Sequence, residues 1–447
     1  MLSFLPLLTL AQATPTPPPK EIFQPQEVRP LPGKLDSVLV FNSNSPELVL
    51  KEGILLSTFP PEGKQFPAAH LNQALSGRFD VFAHHIAKAP TPEDLRTLYI
   101  GVLLHNPGKL TITIDLLQAA SYLSQPDAPF IDLPPLVEDP MGTVYAGPGS
   151  RAMGDILRGR RQADFPAQVV IPPGESRLLM NLPIPVKTLT PPLNGRSTLI
   201  RARSNGTFYA ASLAMFAKPT DDGNERPPTL AEWQNLLETG DVSSPRDRTP
   251  TPPNAKGQII YGRVAGVARG SAWEAQLFAT PTYHLPIPTA GQAYSYALST
   301  LIGGKLGTEQ DQTTDLIARY PDTAYKTHGN YAIQYNLTLP LQNPTEQPQT
   351  VTLTIQTPVK QDQIQGGLKF FDPPQRQVFF RGVVRFRYND DRGLPQTRYV
   401  HLVQRRGQQG EPIVTLTLPP GSDRLVKVDF LYPPDATPPQ VLTVRTE

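Results

Sequence analysis

The chain has 447 residues, 53 of them proline and none cysteine, and its 41 basic against 39 acidic side chains leave a net charge of +2. That length suits two or three domains with cores of their own, and so even a charge balance points to no nucleic-acid or acidic partner for the molecule as a whole. The missing cysteines exclude disulfides, thiolate zinc sites, a cysteine nucleophile and a lipid-modified N-terminal cysteine, while prolines, which break helices and cannot donate to a ladder, suit short strands between rigid turns.

In chain order, residues 1–13, MLSFLPLLTLAQA, read as a signal peptide: an apolar run closed by the small-x-small pattern Ala11-Gln12-Ala13. Residues 14–33 read as a proline-rich, polyproline-like spacer. No later run reaches the ~18 apolar residues of a transmembrane helix, so the expected location is the periplasm or cell surface.

A first module is expected over 34–218. Its strand LRTLYIGVLL is stopped by Asn106-Pro107, and LTITIDL departs at once. Pro173-Gly174 then supplies a type II turn before SRLLMNLPI and STLIRARS. The same order returns in a second module, 257–447: NYAIQYNLTLPL, Asn343-Pro344, TVTLTIQT, Pro420-Gly421, DRLVKVDFL and VLTVRT. The alternating β-branched residues predict strands, and the turn spacing predicts antiparallel sheets. The expected fold is all-β: two related antiparallel β-sandwich (Ig-like) modules joined by a Pro-rich linker, 219–256, with one short helix, 229–239. In that helix Thr229 and Glu232 form a capping box, Leu230, Trp233, Leu236 and Leu237 form an apolar stripe that docks on a module, and Gly240 ends it.

The segment 117–168 is a long insert where a sandwich needs only a connection, and such excursions often carry function. Its GPGSRAMGDILRGRRQ predicts a helix capped by Ser150 and packed through Met153, Ile156 and Leu157. Arg151, Arg158, Arg160 and Arg161 are candidate anion contacts, against a simpler role for the last three in complementing the helix dipole. Neither GK[ST] nor a crossover unit supports a nucleotide site. Asp127 and Asp132 are the weak catalytic candidates, as the paired carboxylates of a glycosidase; acids beside prolines more often shape turns.

His84 and His85 are neighbours on a strand and face opposite ways, so they do not share a metal; no metal and no cofactor is expected. DDGNE at 221–225 lacks the acid of a calcium loop and reads as a turn. In the second module VFFRGVVRFRYNDDRGLPQTRYVHLVQ predicts a hairpin, with Val378, Phe380, Val384, Phe386 and Tyr388 inward and Arg381, Arg385 and Arg387 on a wet face. From 369 to 406 there are nine Lys/Arg against three Asp, while 217–247 holds seven acids against three bases. The arginines would bind an anionic polysaccharide, or the acidic linker would cover them.

The stretches FNSNSPELVLKEGILLSTFPPEGK, AASYLSQPDAPF, VYAGPGSR and STLIRARSNGTFYAASLAMFA resemble a family of exported cyanobacterial proteins classed as a domain of unknown function. The resemblance covers nearly the whole chain. It implies a photosynthetic bacterial source and an envelope location, and brings no catalytic residues. The expected function is therefore a non-catalytic exported cell-envelope protein with a binding or structural role, contacting anionic glycan or an envelope protein through the Arg-rich hairpin and the insert. The alternative is a glycan-active hydrolase using carboxylates of the insert.

Overall fold

The computed structural model describes residues 19–278 and 281–447; the expected signal peptide lies outside them. The described chain is mostly β, in antiparallel and mixed sheets, with two α-helices, Pro148–Leu157 (α1) and Leu230–Thr239 (α2).

Two large apolar cores carry the fold. Around the first, one layer runs in the order Gln168–Ile171, Ile112–Leu123, Leu193–Phe216, Leu75–Lys88, Leu39–Ser43. The long strand Leu193–Phe216 serves two layers. Up to Ser204 it pairs with Leu75–Lys88 and Ile112–Leu123; from Phe208 its main partners are Leu98–His105 and Gly53–Ser57. The register breaks at Asn205-Gly206, where a Cβ on Gly206 would meet Ile112 Cγ2 at 2.4 Å. Around the second core, Glu27–Arg29, Ala293–Leu298, Gln440–Thr446, Gln349–Gln356 and Val414–Leu418 form one sheet. A second sheet is built on Pro395–Arg405, Val378–Asn389, Asp423–Leu431 and Gln334–Gln342. In QYNLTLPLQ the burial alternates residue by residue, sending Tyr335, Leu337, Leu339 and Leu341 inward, as a period of two dictates.

The two systems share a strand order. Read from Gln168–Ile171 to Leu39–Ser43, and from Val414–Leu418 to Glu27–Arg29, each sheet has three antiparallel pairings followed by one parallel pairing. Each also has the same asparagine pin. Asn106 Nδ2 donates to the carbonyls of Leu110 (2.8 Å) and Ile171 (2.9 Å), and its Oδ1 accepts from Gly108 N. Asn343 Nδ2 donates to the carbonyls of Gln347 (2.8 Å) and Leu418 (2.9 Å), and its Oδ1 accepts from Thr345 N. Both asparagines are fully buried. The proline ends each ladder, but the asparagine before it ties the strand end to the opposite sheet. The Pro-Gly turns follow, with Gly174 at φ 69° and Gly421 at φ 67°, where a Cβ is strained.

The sheets do not respect the expected boundaries at 34 and 257. Lys20–Pro25 pairs with Gly367–Asp372, and Glu27–Arg29 with Ala293–Leu298, so the described part of the expected spacer is strand in the second system. Its Ile22, Val28 and Leu31 supply apolar residues between the prolines, and Leu31 is buried. Conversely, Ala265–Arg269 pairs with Leu39–Ser43 and extends the first system's sheet.

The insert also crosses over. Leu136–Glu138 adds to the edge of Pro395–Arg405. Helix α1 buries Ala152, Met153, Ile156 and Leu157 against Phe82, Ala120 and Leu199 of the first system and Ala332, Val383 and Leu431 of the second. At ~1.5–3 kcal/mol for each large apolar side chain removed from water, this helix contributes substantially to holding the halves together. The segment expected as a long functional insert in the first module is an internal joint.

Helix α2 docks on the first system. Thr229 and Glu232 form the capping box, and Trp233 is fully buried with Leu237 among Ile54, Leu103 and Met215. Gly101 makes room for the indole: a Cβ there would meet Trp233 Cε2 at 2.8 Å. Gly240 ends the helix in extended geometry (φ −92°), not left-handed, and its N–H bonds the Leu236 carbonyl.

Replacing Asn343 with alanine takes the carboxamide donor from the buried Leu418 carbonyl, whereas the exposed Gln347 carbonyl keeps the Thr345 hydroxyl and the exposed Thr345 amide can turn to water. Urea denaturation is expected to show a loss of about 1–3 kcal/mol, the cost of leaving one buried group unsatisfied. A loss under about 0.5 kcal/mol, the ordinary effect of a surface change, would mean that the pin is incidental.

Candidate functional site

The arginines singled out from the sequence are committed to partners. Arg385 and Arg387 flank Asp429, with Nε and Nη2 at 3.0 and 2.9 Å from its Oδ2. Arg385 Nη1 also reaches the Leu157 carbonyl at the end of α1. Arg381 Nε lies 2.9 Å from Asp435 Oδ2, an ion pair without hydrogen-bond alignment, and its guanidinium covers Phe130. The expectation of a wet arginine face is corrected: α1 covers its centre, burying Val383, and a bulge between Val378 and Phe380 shifts the register at one end. The acidic linker does not cover it. Glu232 and Glu238 pair instead with Arg226 and Lys64.

Within the insert, Arg158 is buried on Asp139 and the ring of Tyr399, and Arg160 pairs with Asp155. Arg151 donates to the Asp127 carbonyl between the rings of Tyr122 and Tyr145, and Arg161 donates to the Phe165 carbonyl. Ser150 is not the cap of α1; Gly147 holds that position at φ 87°, and Ser150 Oγ lies 2.7 Å from His401 Nε2. The Asp127 carboxylate accepts the Leu123 amide at 2.8 Å, a turn-shaping bond, while Asp132 is exposed. The two are not joined by any hydrogen bond.

His84 and His85 are satisfied singly. His84 faces Ser197 and Glu47, whereas His85 lies between Ser43 Oγ (2.9 Å) and the Pro46 carbonyl (2.8 Å). Among the described residues no three of His, Asp and Glu gather to hold a metal ion. DDGNE is a turn between two short paired strands, with Asp222 Oδ1 accepting the Asn224 amide.

Uncommitted polar groups gather elsewhere, at the seam where the linker passes between the two systems. A cleft of about 420 Å³ is lined by Asn42 and Asn44, by Asp247 and Arg248 of the linker, by Tyr261 and Arg263, and by Thr327 to Tyr331 and Lys360. Beside it, sharing Arg263, Tyr331, Ala436 and Thr437, lies a second cleft of about 510 Å³ that adds Glu47, His84 and Asp435. Asn42 Oδ1, Asn44 Oδ1 and His328 Nδ1 are buried without hydrogen-bond partners. Lys360 Nζ donates to the Tyr261 hydroxyl at 3.0 Å, and the rings of Tyr261 and His328 lie 4.9 Å apart.

The electrostatics are those of a partly dry place. Burial pushes the Lys360 ammonium below the usual lysine range, with Asp362 opposing, and pushes His328 down to about 4. Burial raises Asp435 to about 6, with Arg381 working against it. Its side chain keeps 27% exposure, but both carboxylate oxygens are buried, and they govern the proton. Arg263 is consumed by Glu47 and Asp247, which Ser45 also holds. Lys360 and Arg248 form no ion pair among the described residues.

The family described as protein of unknown function (DUF3370) matches residues 26–446. The chain belongs to that family. A search of curated proteins finds no match. The DUF3370 span contains every residue of the two clefts and both sheet systems apart from the strand Lys20–Pro25. None of the cleft residues was singled out from the sequence as a binding group. Only the FNSNSP of Phe41 to Pro46 carried a signal, as polar residues in a strand context, and Asn42 and Asn44 stand in it.

Four histidines, His70, His85, His328 and His401, are held down to about 4 chiefly by burial. Between about pH 4 and 6.5 the unfolded chain binds protons that the native state refuses, so stability falls as pH falls through that window. Asp435, raised to about 6, acts oppositely and loses its contribution as pH rises through 6. Urea midpoints are expected to drop from pH 6.5 to 4.5, and His401→Gln should flatten the slope. A pH-independent midpoint would show that these imidazoles protonate freely in the fold.

Proposed function

We propose that the chain is a non-catalytic binding or structural protein of the cell envelope. In this reading residues 1–13 export it to the periplasm or cell surface of a cyanobacterium, and its ligand is an anionic glycan. The two sheet systems are read as related Ig-like modules, supported by their common strand order and twin asparagine pins. The likeness of the FNSNSP and AASYLSQPDAPF stretches to exported cyanobacterial sequences supports source and location.

The observation that carries the binding role is the contrast in commitment. Arginines of the hairpin and insert neutralise buried carboxylates, as charges in a seam must. The seam clefts, in contrast, keep buried polar atoms without partners beside two cations outside any ion pair. Such a place suits binding. The contact surface is thus shifted from the hairpin to the seam.

Affinity electrophoresis in alginate, a polyuronate, tests the reading. Retardation is expected at low salt and should fade as ionic strength rises toward roughly 0.5 M, where exposed charges are screened within a few ångströms. No reducing ends should appear. Migration indifferent to alginate at low salt, or steady release of reducing ends, would defeat it.

A further inference from the structure

We propose that the 420 Å³ seam cleft binds one acidic sugar unit, with its carboxylate at Lys360 and Arg248 and its hydroxyls on Asn42 and Asn44. This rests on the glycan-binding reading and gives it a site and a ligand class.

The size is right for a small ligand, since such sites run from roughly 300 to 1,000 Å³. The polar lining is specific about what it lacks. Asn42 and Asn44 are 5% and 3% exposed, and each has a carboxamide oxygen with no partner. A buried acceptor left unpaired costs about 1–3 kcal/mol, so two on one wall call for donors from outside the chain. Hydroxyl groups fit better than any other donor. They give or take a hydrogen bond, and so satisfy a carboxamide turned either way and either tautomer of His328.

The charge requires an acid on the same ligand. Lys360 has lost part of its hydration to burial, and its one hydrogen bond goes to a neutral phenol. A carboxylate would restore what the ammonium lost, and charge-assisted bonds are roughly twice as strong as neutral ones. Arg248, exposed and without an ion pair, stands at the same cleft as a second positive group. The tilted pair of Tyr261 and His328 offers an apolar surface for the C–H face of a sugar ring. A neutral sugar leaves the cations unanswered; a simple acid leaves the asparagines unanswered. A uronic acid answers both.

Calorimetric titration of the full chain with glucuronic acid, glucose and acetate tests this, alongside alginate retardation. Glucuronate should bind at least about tenfold more tightly than either control, a factor worth 1.4 kcal/mol. Lys360→Met and the double change Asn42→Ala, Asn44→Ala should each weaken it about tenfold or more. Should those variants melt early, Arg248→Gln at an exposed position should still weaken it severalfold with an unchanged melt. Glucuronate binding no tighter than glucose, or undiminished in all three variants, overturns the proposal. Wild-type chain retarded by alginate, with variants retarded equally, would remove the cleft and keep the glycan reading. Glucuronate binding without retardation would do the reverse.

Discussion

Helix α1 is covered on both sides by sheet: Phe82, Ala120 and Leu199 on one side, Val383 and Leu431 on the other. Neither half could leave it without exposing a continuous apolar strip. Charged groups around such a helix lose much of their water and have to be answered by opposite charge or backbone carbonyls. Arg158 therefore takes Asp139, Arg385 takes Asp429 and the Leu157 carbonyl, and Arg381 takes Asp435. The basic hairpin and the insert meet because each supplies the other's missing surface.

The rim of that seam differs from its centre. The linker lays Asp247 and Arg248 across it, and the cleft there is lined by the carboxamides of Asn42 and Asn44, at the end of Leu39–Ser43, and by Lys360 from the connection between Gln349–Gln356 and Gly367–Asp372. One junction is thus closed by apolar packing around α1 and open where the linker crosses. Binding there would draw on both halves at once. A ligand seated on Asn42 from one system and Lys360 from the other would also stabilise their mutual placement by mass action.

Much of the fold was legible because its signals are local. Alternation marked Gln334–Gln342, the Thr229–Glu232 box marked the start of α2, and the paired Asn-Pro and Pro-Gly signals marked corresponding places in the two systems. What each residue does at those places was less legible. Asn343 matters through a carboxamide that reaches Leu418, a contact across 75 positions that no local pattern records. The partners of the arginines were hidden for the same reason: Arg385 and Asp429 stand on different strands, and the apolar face of α1 looked like any amphipathic stripe. Parity along Val378–Asn389 separated the arginines from Phe380 and Phe386 but could not show the bulge at Phe379 or the helix that lies over the arginine side. The seam cleft was invisible, since Asn42, Arg248, His328 and Lys360 come from distant segments and none stands in a recognisable motif.

Hydrogen exchange of the full chain, read by mass spectrometry over peptides covering 148–157 and 98–105, bears most directly on α1 as the joint. Amides of α1 from Arg151 onward should exchange as slowly as those of the core strand Leu98–His105, because opening the helix requires the halves to part. Exchange of that helix within seconds, while Leu98–His105 stays protected, would show a loosely attached excursion and contradict the account.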